Sequence, residues 1–204
     1  MFITFEGQEG AGKSTQIKLL HDYLLGKGAN VILVREPGST KIAEKVRDIL
    51  KDTANTEMTK KTEALLYLAA RAQLVREVIS PQLAAGGIVL CDRFTDSTIA
   101  YQGFGNGLDI DELTALNDFA TGGLVPDITI YLRIDVREGL ARKSADSALD
   151  RIEQRELSYH NMVKKGYEHL LKNNPQRIFA IDGNLPQEQI IETIAKHIET
   201  KTIF

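Results

Sequence analysis

The feature that most limits the possible fold is a glycine-rich segment, GQEGAGKST at residues 7–15. It follows a short apolar run and precedes a stretch of helical period, and its spacing is G-x-x-x-x-G-K-[ST]. Glycines at these positions let successive backbone N–H groups turn inward around phosphate oxygens, and a following helix adds its positive end. The segment therefore predicts a strand, a loop and a helix that together bind a nucleoside triphosphate.

Within this P-loop, two side chains have specific chemistry. Lys13 is expected to reach the β and γ phosphates, and the Ser14 hydroxyl is expected to ligate Mg²⁺. Mg²⁺, bound with the nucleotide, is therefore the predicted cofactor. The predicted nucleotide-binding residues are Gly7, Gln8, Glu9, Gly10, Ala11, Gly12, Lys13, Ser14 and Thr15.

Short apolar runs alternate with segments of helical period along the whole chain. Runs such as residues 88–91 are apolar on both faces, which is typical of a sheet covered on both sides. Alternating β and α elements predict an α/β fold with a doubly wound, five-stranded parallel sheet flanked by helices, in one domain over residues 1–204. The predicted strands are 2–6, 31–35, 87–92, 128–134 and 177–181. The predicted helices are 13–27, 42–50, 60–83, 96–103, 110–120, 136–143, 151–172 and 187–200, and the small polar residues 144–149 predict a flexible crossing.

Composition excludes some partners and favours one compartment. The formal net charge of −3 gives no general attraction to DNA, RNA or an anionic membrane. No stretch approaches the roughly 18 apolar residues of a membrane helix. The single cysteine, Cys91, cannot form an intramolecular disulfide and is expected to be a small buried apolar residue. We therefore expect a cytoplasmic protein that binds neither nucleic acid nor membrane.

Charged residues follow two of the predicted strands. Asp92 and Arg93 follow the third strand, where the carboxylate can hold Mg²⁺ or its waters. The segment REPG at residues 35–38 ends the second strand. Ligands of open α/β sheets bind at this carboxyl edge, so these residues are candidates for an acceptor site. The guanine-specific Asn-Lys-x-Asp element of switch GTPases is absent from the sequence.

Seven segments together resemble the bacterial thymidylate kinases, in family order and along nearly the whole chain. They are FEGQEGAGKSTQ at 5–16, REPG at 35–38, LAAR at 68–71, CDRF at 91–94, DSTIAYQG at 96–103, PDITIYL at 126–132 and LDRIE at 149–153. The resemblance implies a P-loop NTPase fold with a short lid at about residues 137–152. It also implies transfer of the γ-phosphoryl group of ATP to the 5′-phosphate of dTMP, and a homodimer formed through helices that flank the sheet.

The resemblance also implies how dTMP is bound. Arg93 would contact the acceptor phosphate, Arg71 would donate to thymine O4, and Tyr67 would stack on the base. Tyr101 would pack against the 2′ carbon of the sugar, and Glu9 would lie near the 3′-hydroxyl. Ser97, Thr98 and Gln102 would line the base and sugar pocket, with Glu36 and Arg47 near the acceptor.

The lid is where the sequence departs from the family pattern. The P-loop has no basic residue between Gly7 and Gly12, as in the bacterial type that places a catalytic arginine in the lid. The lid of this chain is poor in arginine, and Arg142 and Arg151 both remain candidates, beside Lys13 and Arg93, for the catalytic set. For Lys143 the sequence favours a solvated charge.

Two other functions remain open on sequence grounds. A deoxynucleoside kinase shares the fold and carries a glutamate after the second strand, which deprotonates a sugar hydroxyl. Arginines at 35, 71 and 93 favour instead an acceptor that is already anionic. A non-catalytic, ATP-dependent switch would need a partner surface that the sequence does not reveal. Strict dependence of ATP turnover on dTMP would distinguish a dTMP kinase from a deoxynucleoside kinase and from a non-catalytic switch.

Overall fold

The computed structural model of the protein describes residues 1–146 and 148–201. In this part of the chain, five parallel strands form one sheet in the order β2-β3-β1-β4-β5. The predicted architecture is confirmed, and each strand lies within one residue of its predicted bounds. The strands are β1 (Phe2–Glu6), β2 (Val31–Arg35), β3 (Ile88–Asp92), β4 (Ile128–Arg133) and β5 (Ile178–Asp182).

Helices cover both faces of the sheet. Alternate residues of β1 point to opposite faces, so Ile3 and Phe5 pack with the first and last helices while Phe2 packs with Val89 and Phe94 on the other side. The helices are α1 (Lys13–Gly26), α2 (Lys41–Lys51), α3 (Lys60–Leu74), α4 (Ser80–Ala84), α5 (Thr95–Thr98), α6 (Ile110–Thr121), α7 (Val136–Asp146), α8 (Leu157–Asn173) and α9 (Gln187–Lys201). Within residues 1–146 and 148–201, no helix has the length and apolarity that a bilayer crossing requires.

Two predicted helices contain π-helical turns. The helix predicted at 60–83 is divided by Val75–Ile79, where the Ser80 N–H bonds to Val75 O, five residues back. Pro81 follows and has no N–H with which to continue the α-helical pattern. The helix predicted at 96–103 is a short α5 followed by a π-helical segment, Ile99–Gly105.

The region between α7 and α8 corrects two predictions. Residues 144–146 continue α7, so the flexible crossing predicted at 144–149 is wrong for them; Ser147 lies outside the described residues. The helix predicted from residue 151 begins only at Leu157. Residues 151–155 instead form turns, because the Asp150 carboxylate accepts hydrogen bonds from the backbone N–H groups of Ile152 and Glu153, both at 3.0 Å.

Candidate active site

The P-loop connects β1 to α1 and depends on close backbone contacts. Gly7 has φ 135° and Gly10 has φ 69°, a region that favours glycine. A Cβ on Gly7 would lie 2.4 Å from Leu132 O, and one on Gly10 would lie 2.1 Å from Gly139 O. The loop therefore packs directly against β4 and α7, which explains why these two positions require glycine.

Lys13 lies across the loop and is buried. Its Nζ donates to Gly7 O at 2.9 Å and to Gln8 O at 2.8 Å. Burial, followed by the positive charge of Arg93, lowers the pKa of Lys13 to about 8. These carbonyl contacts are ones that a bound triphosphate could replace.

The two predicted Mg²⁺ ligands lie next to each other. Phe5 pairs with Asp92 in the parallel register, which brings the end of β3 beside the P-loop. The Ser14 hydroxyl donates to the Asp92 carboxylate at 3.0 Å. The pair presents hard oxygen donors, which suit Mg²⁺ better than a soft metal.

A polar cleft extends from the P-loop over the carboxyl ends of β2 and β3. It brings together all of the residues predicted to bind dTMP or Mg²⁺. Other acidic and basic residues line it as well, among them Arg35 of the REPG segment and Lys143 of the lid. The predicted residues that line it are Glu9, Gly10, Lys13, Ser14, Glu36, Arg47, Tyr67, Arg71, Asp92, Arg93, Ser97, Thr98, Tyr101 and Gln102. The additional lining residues are Arg35, Pro37, Lys51, Lys143, Asp150, Ile152 and Glu153.

Arg93 lies at the centre of this cleft with an unusual backbone. Its φ is 74°, a conformation that costs a non-glycine residue on the order of 1 kcal/mol and is found mainly where function requires it. Its guanidinium donates to Glu9 at 2.9 Å and to Tyr167 OH at 3.1 Å, and lies 4.8 Å from the centroid of the Tyr101 ring. The group is thus held in place while it still lines the cleft.

Glu9 faces the same space. Tyr101 OH donates to its Oε1 at 2.7 Å. Burial would raise the pKa of Glu9, but the charges of Arg93 and Lys13 and the bond from Tyr101 outweigh it, so this pKa lies below its ordinary value. The other oxygen, Oε2, has no hydrogen-bond partner in the described part of the chain and lies 4.0 Å from Nδ1 of the buried His160.

Behind Arg93 lies a second carboxylate, which sequence analysis missed. Glu6 accepts hydrogen bonds from the Phe94 N–H at 2.8 Å, from Ser97 Oγ at 2.6 Å and from Tyr167 OH at 2.8 Å. Burial and the neighbouring charge of Asp96 raise the pKa of Glu6 to about 7. Glu6 positions Ser97 and the start of α5, so its role in this structure is to shape the pocket wall.

Arg71 is 1% exposed, and its guanidinium makes four hydrogen bonds and one ion pair within the protein. Nε bonds to Glu36 at 2.8 Å, and NH2 contacts both Glu36 and Phe94 O. NH1 bonds to Thr98 at 2.7 Å and to Asn117 at 2.6 Å. A bond from Arg71 to thymine O4 would have to replace one of these contacts.

Glu63 is the centre of another buried network. It accepts from the amides of Gln102 and Asn106 on one oxygen, and forms ion pairs with Arg151 and Arg155 on the other. Burial opposes ionisation, but Arg155, Gln102 and Arg151 lower the pKa of Glu63 below its ordinary value. Gln102 is therefore oriented at the cleft wall by a residue on α3.

The two lid arginines bond to protein groups outside the P-loop. Arg142 bonds to Gly183 O at 3.2 Å and Asn184 at 2.9 Å, in the turn after β5. Arg151 bonds to Leu50 O at 3.0 Å and to Glu63 at 2.7 Å. Neither is among the described residues that line the cleft, whereas Lys143 is.

Arg47 and Tyr67 also line the cleft. Arg47 NH1 donates to Pro37 O at 2.9 Å, and Tyr67 is half-buried. Cys91, as expected, is a free and fully buried thiol in β3.

Comparison with known proteins extends these observations. The thymidylate kinase family profile matches residues 5–194. A thymidylate kinase of Roseiflexus castenholzii is 48% identical over 98% of this chain and 93% of the relative. One from Lactobacillus delbrueckii subsp. bulgaricus is also 48% identical, over 98% of this chain and 95% of the relative. The crystal structure of thymidylate kinase from Ehrlichia chaffeensis superposes with a TM-score of 0.81 at 33% identity, covering 97% of this chain and 98% of that one.

Proposed function

This chain belongs to the thymidylate kinase family and is an ATP-dependent enzyme that converts dTMP to dTDP, and we propose that the polar cleft is where it does so. The observation that carries the proposal is the continuity of the cleft. Lys13 and Ser14 of the triphosphate cradle share one cavity with Arg93 and Arg71 of the acceptor side. A donor and an acceptor nucleotide bound there would meet phosphate to phosphate.

The reaction requires little proton chemistry. An ionised oxygen of the dTMP 5′-phosphate forms a bond to the γ phosphorus, while the bond from that phosphorus to the β,γ-bridging oxygen breaks. The electron pair of the broken bond leaves with ADP. The protein therefore needs to align the two phosphates and to balance their negative charge, which buried lysine and arginine side chains do well.

The hydroxyl of Ser14 and the carboxylate of Asp92 are the residues that would hold Mg²⁺. Their oxygens lie 3.0 Å apart, at the end of the P-loop where the phosphates enter. Mg²⁺ supplies positive charge to the β and γ phosphates when it is bound with ATP. The remaining P-loop residues, from Gly7 to Thr15, would contribute backbone N–H groups.

The acceptor pocket follows from the position of Arg93. Its fork of donors suits a phosphate, and Glu9 and Tyr101 lie beside it where the deoxyribose of dTMP would rest. Tyr67 and Gln102 would face the base, with Ser97 and Thr98 below it. Glu36 holds Arg71, and Arg47 closes the edge of the pocket.

Residues 1–204 are proposed to be a single kinase domain whose lid spans about residues 137–152. For either Arg142 or Arg151 to reach the transferring phosphoryl group, it would have to leave the partners described above. Arg142 would lose its bonds to Gly183 O and Asn184, and Arg151 would lose its ion pair with the buried carboxylate of Glu63. The second change costs more free energy, because it leaves Glu63 paired with one arginine fewer.

We further propose a cytoplasmic homodimer. Leu116 and Phe119 lie one turn apart on α6 and are 38% and 89% exposed, and Leu65 on the adjacent α3 is 54% exposed. Apolar side chains on two neighbouring helices suit an interface between copies of the chain. Light scattering of the purified protein tests this proposal, and a monomer at micromolar concentration would contradict it.

A panel of acceptors assayed with Mg·ATP tests the reaction and its base preference. ADP formation should depend strictly on a nucleoside monophosphate, with dTMP preferred and thymidine inactive. The N4 amino group of dCMP would face donors in a pocket built around hydrogen bonds, a mismatch that can reach ~10⁴ in kcat/KM. dUMP lacks only a methyl group and should lose roughly 10–200-fold. Equal use of dCMP and dTMP would contradict the assignment of the pocket, and ADP formation with thymidine would favour a nucleoside kinase.

A further inference from the structure

The orientation of the lid helix α7 is set by a direct contact with the P-loop. A Cβ on Gly139 would lie 2.4 Å from Glu9 O, and one on Gly10 would lie 2.1 Å from Gly139 O. The two backbones therefore touch with no room for a side chain between them. This contact determines which face of α7 looks toward the phosphate cradle.

Lys143 lies on that face. It follows Gly139 by four residues, and positions i and i+4 of a helix share one side. Lys143 accordingly lines the same cleft as Lys13 and Ser14. Arg142 is the neighbouring residue on α7, so it points to a different side of the helix than Lys143. Its guanidinium bonds to Glu138, Gly183 and Asn184.

An acidic residue of the lid holds Lys143 near the cleft. Its Nζ lies 3.7 Å from Glu153 Oε1, and Glu153 is itself positioned by the Asp150 N–H, which donates to Oε2 at 2.9 Å. Glu153 is 8% exposed and lines the cleft, whereas Lys143 is half-buried. Both side chains therefore lie at the cleft wall, where a phosphate that enters the cleft would meet the ammonium group.

From this geometry we propose that Lys143 is the lid cation that neutralises the transferring phosphoryl group, in the place where an arginine was expected. The proposal rests on the proposed function, and it gives Lys143 a catalytic role in place of the solvated charge that the sequence favours. An ammonium group suits the task because charge develops on several phosphoryl oxygens at once, and a compact cation with three donors can follow it. Glu153 keeps the lysine at the cleft in the absence of nucleotide.

Rapid-quench single-turnover kinetics with Mg·ATP and dTMP give the direct test. Lys143→Ala should lower the rate of phosphoryl transfer about 10²–10³-fold, the scale for removing one electrostatic stabiliser, with the KM values for ATP and dTMP changed less than about threefold. Lys143→Met, which keeps the apolar stem, should lose as much. Lys143→Arg should recover most of the rate, and Arg137→Ala, an exposed arginine on the same helix, should behave as the native protein.

A binding experiment separates catalysis from simple ground-state contact. In a complex with dTMP and ADP, aluminium fluoride mimics the transferring phosphoryl group. Lys143→Ala should lower the affinity of the enzyme for this complex far more than its affinity for ADP alone. The proposal is overturned if Lys143→Ala transfers phosphoryl at the native rate, or if its whole loss lies in the KM for ATP. It is also overturned if Arg142→Ala or Arg151→Ala slows transfer more than Lys143→Ala does. Absence of dTMP-dependent ATP turnover in the native protein would instead defeat the proposed function.

Discussion

The acceptor half and the donor half of the cleft hold their charged side chains in different ways. On the acceptor side Arg71 is buried and Arg93 is half-buried, and carboxylates, hydroxyls and a tyrosine ring surround them. Lys13 on the donor side bonds to two carbonyls of its own loop, and Lys143 lies 3.7 Å from Glu153. In the proposed site the acceptor half is therefore built before substrate arrives, whereas the donor half would exchange protein partners for phosphates.

This contrast has a physical cause. A planar guanidinium can be fixed by several directed hydrogen bonds, so it makes a durable pocket wall. An ammonium group is a point charge on a flexible stem and can move between acceptors at little cost. Substitutions in the acceptor half should therefore reduce stability as well as selectivity, and substitutions in the donor half should mainly reduce rate.

The largest effect is expected at Lys13, where rate and stability should separate most clearly. Lys13→Ala should lower kcat by on the order of 10³ or more, because it removes a charge that stabilises the β and γ phosphates. The fold should remain, since the two carbonyls that Lys13 now contacts can bond to water from the cleft. Steady-state kinetics and thermal unfolding measure the two quantities, with Lys18→Ala on the exposed face of α1 as the control. A folded Lys13→Ala protein with near-native turnover would contradict both the site and the comparison.

Substitution of Arg71 should reduce stability, in contrast to substitution of Lys13. Arg71→Ala leaves Glu36 as a buried carboxylate without its cation, a change that costs ~3–5 kcal/mol in other proteins. We expect the lower end, about 3 kcal/mol, because water from the cleft can enter the vacated space. The advantage of dTMP over dCMP should also shrink. Urea denaturation measures the free energy of unfolding, and Arg76→Ala, an exposed arginine shortly after α3, is the matched control. A decrease in the free energy of unfolding of less than about 1 kcal/mol would show that the contacts of Arg71 do not stabilise the acceptor half.

The smallest effect is a pH dependence above pH 8, which arises in the donor half. Burial lowers the pKa of Lys13 to about 8, so the lysine loses its proton as the pH rises through this value. Only the charged form attracts the triphosphate, so kcat/KM for ATP should fall about tenfold per pH unit above pH 8. Lys13→Arg, which stays charged, should have a lower but flat profile between pH 7.5 and 9.5. A native profile that is flat over the same range would show that Lys13 keeps its proton in the free enzyme.

Local sequence was sufficient for much of the fold and for the outline of the cleft. The P-loop conformation depends on glycines within a few residues of one another, and each strand is a short segment of mostly apolar residues. Parallel strands place their carboxyl ends at one edge, so Asp92 and Arg93 could be assigned to the site before any distances were known. These features depend on neighbours in the chain, which a sequence displays directly.

Side-chain partners distant in sequence could not be inferred in this way. Arg71 bonds to Asn117, 46 residues away. Glu63 on α3 contacts Gln102 and, from the turns before α8, Arg151 and Arg155. The choice among the lid cations likewise depends on the contact of Gly139 with the P-loop, because that contact sets the rotation of α7. Composition could show that the lid is poor in arginine, but which of its cations faces the cleft depends on how α7 packs against the P-loop, a contact between residues distant in sequence.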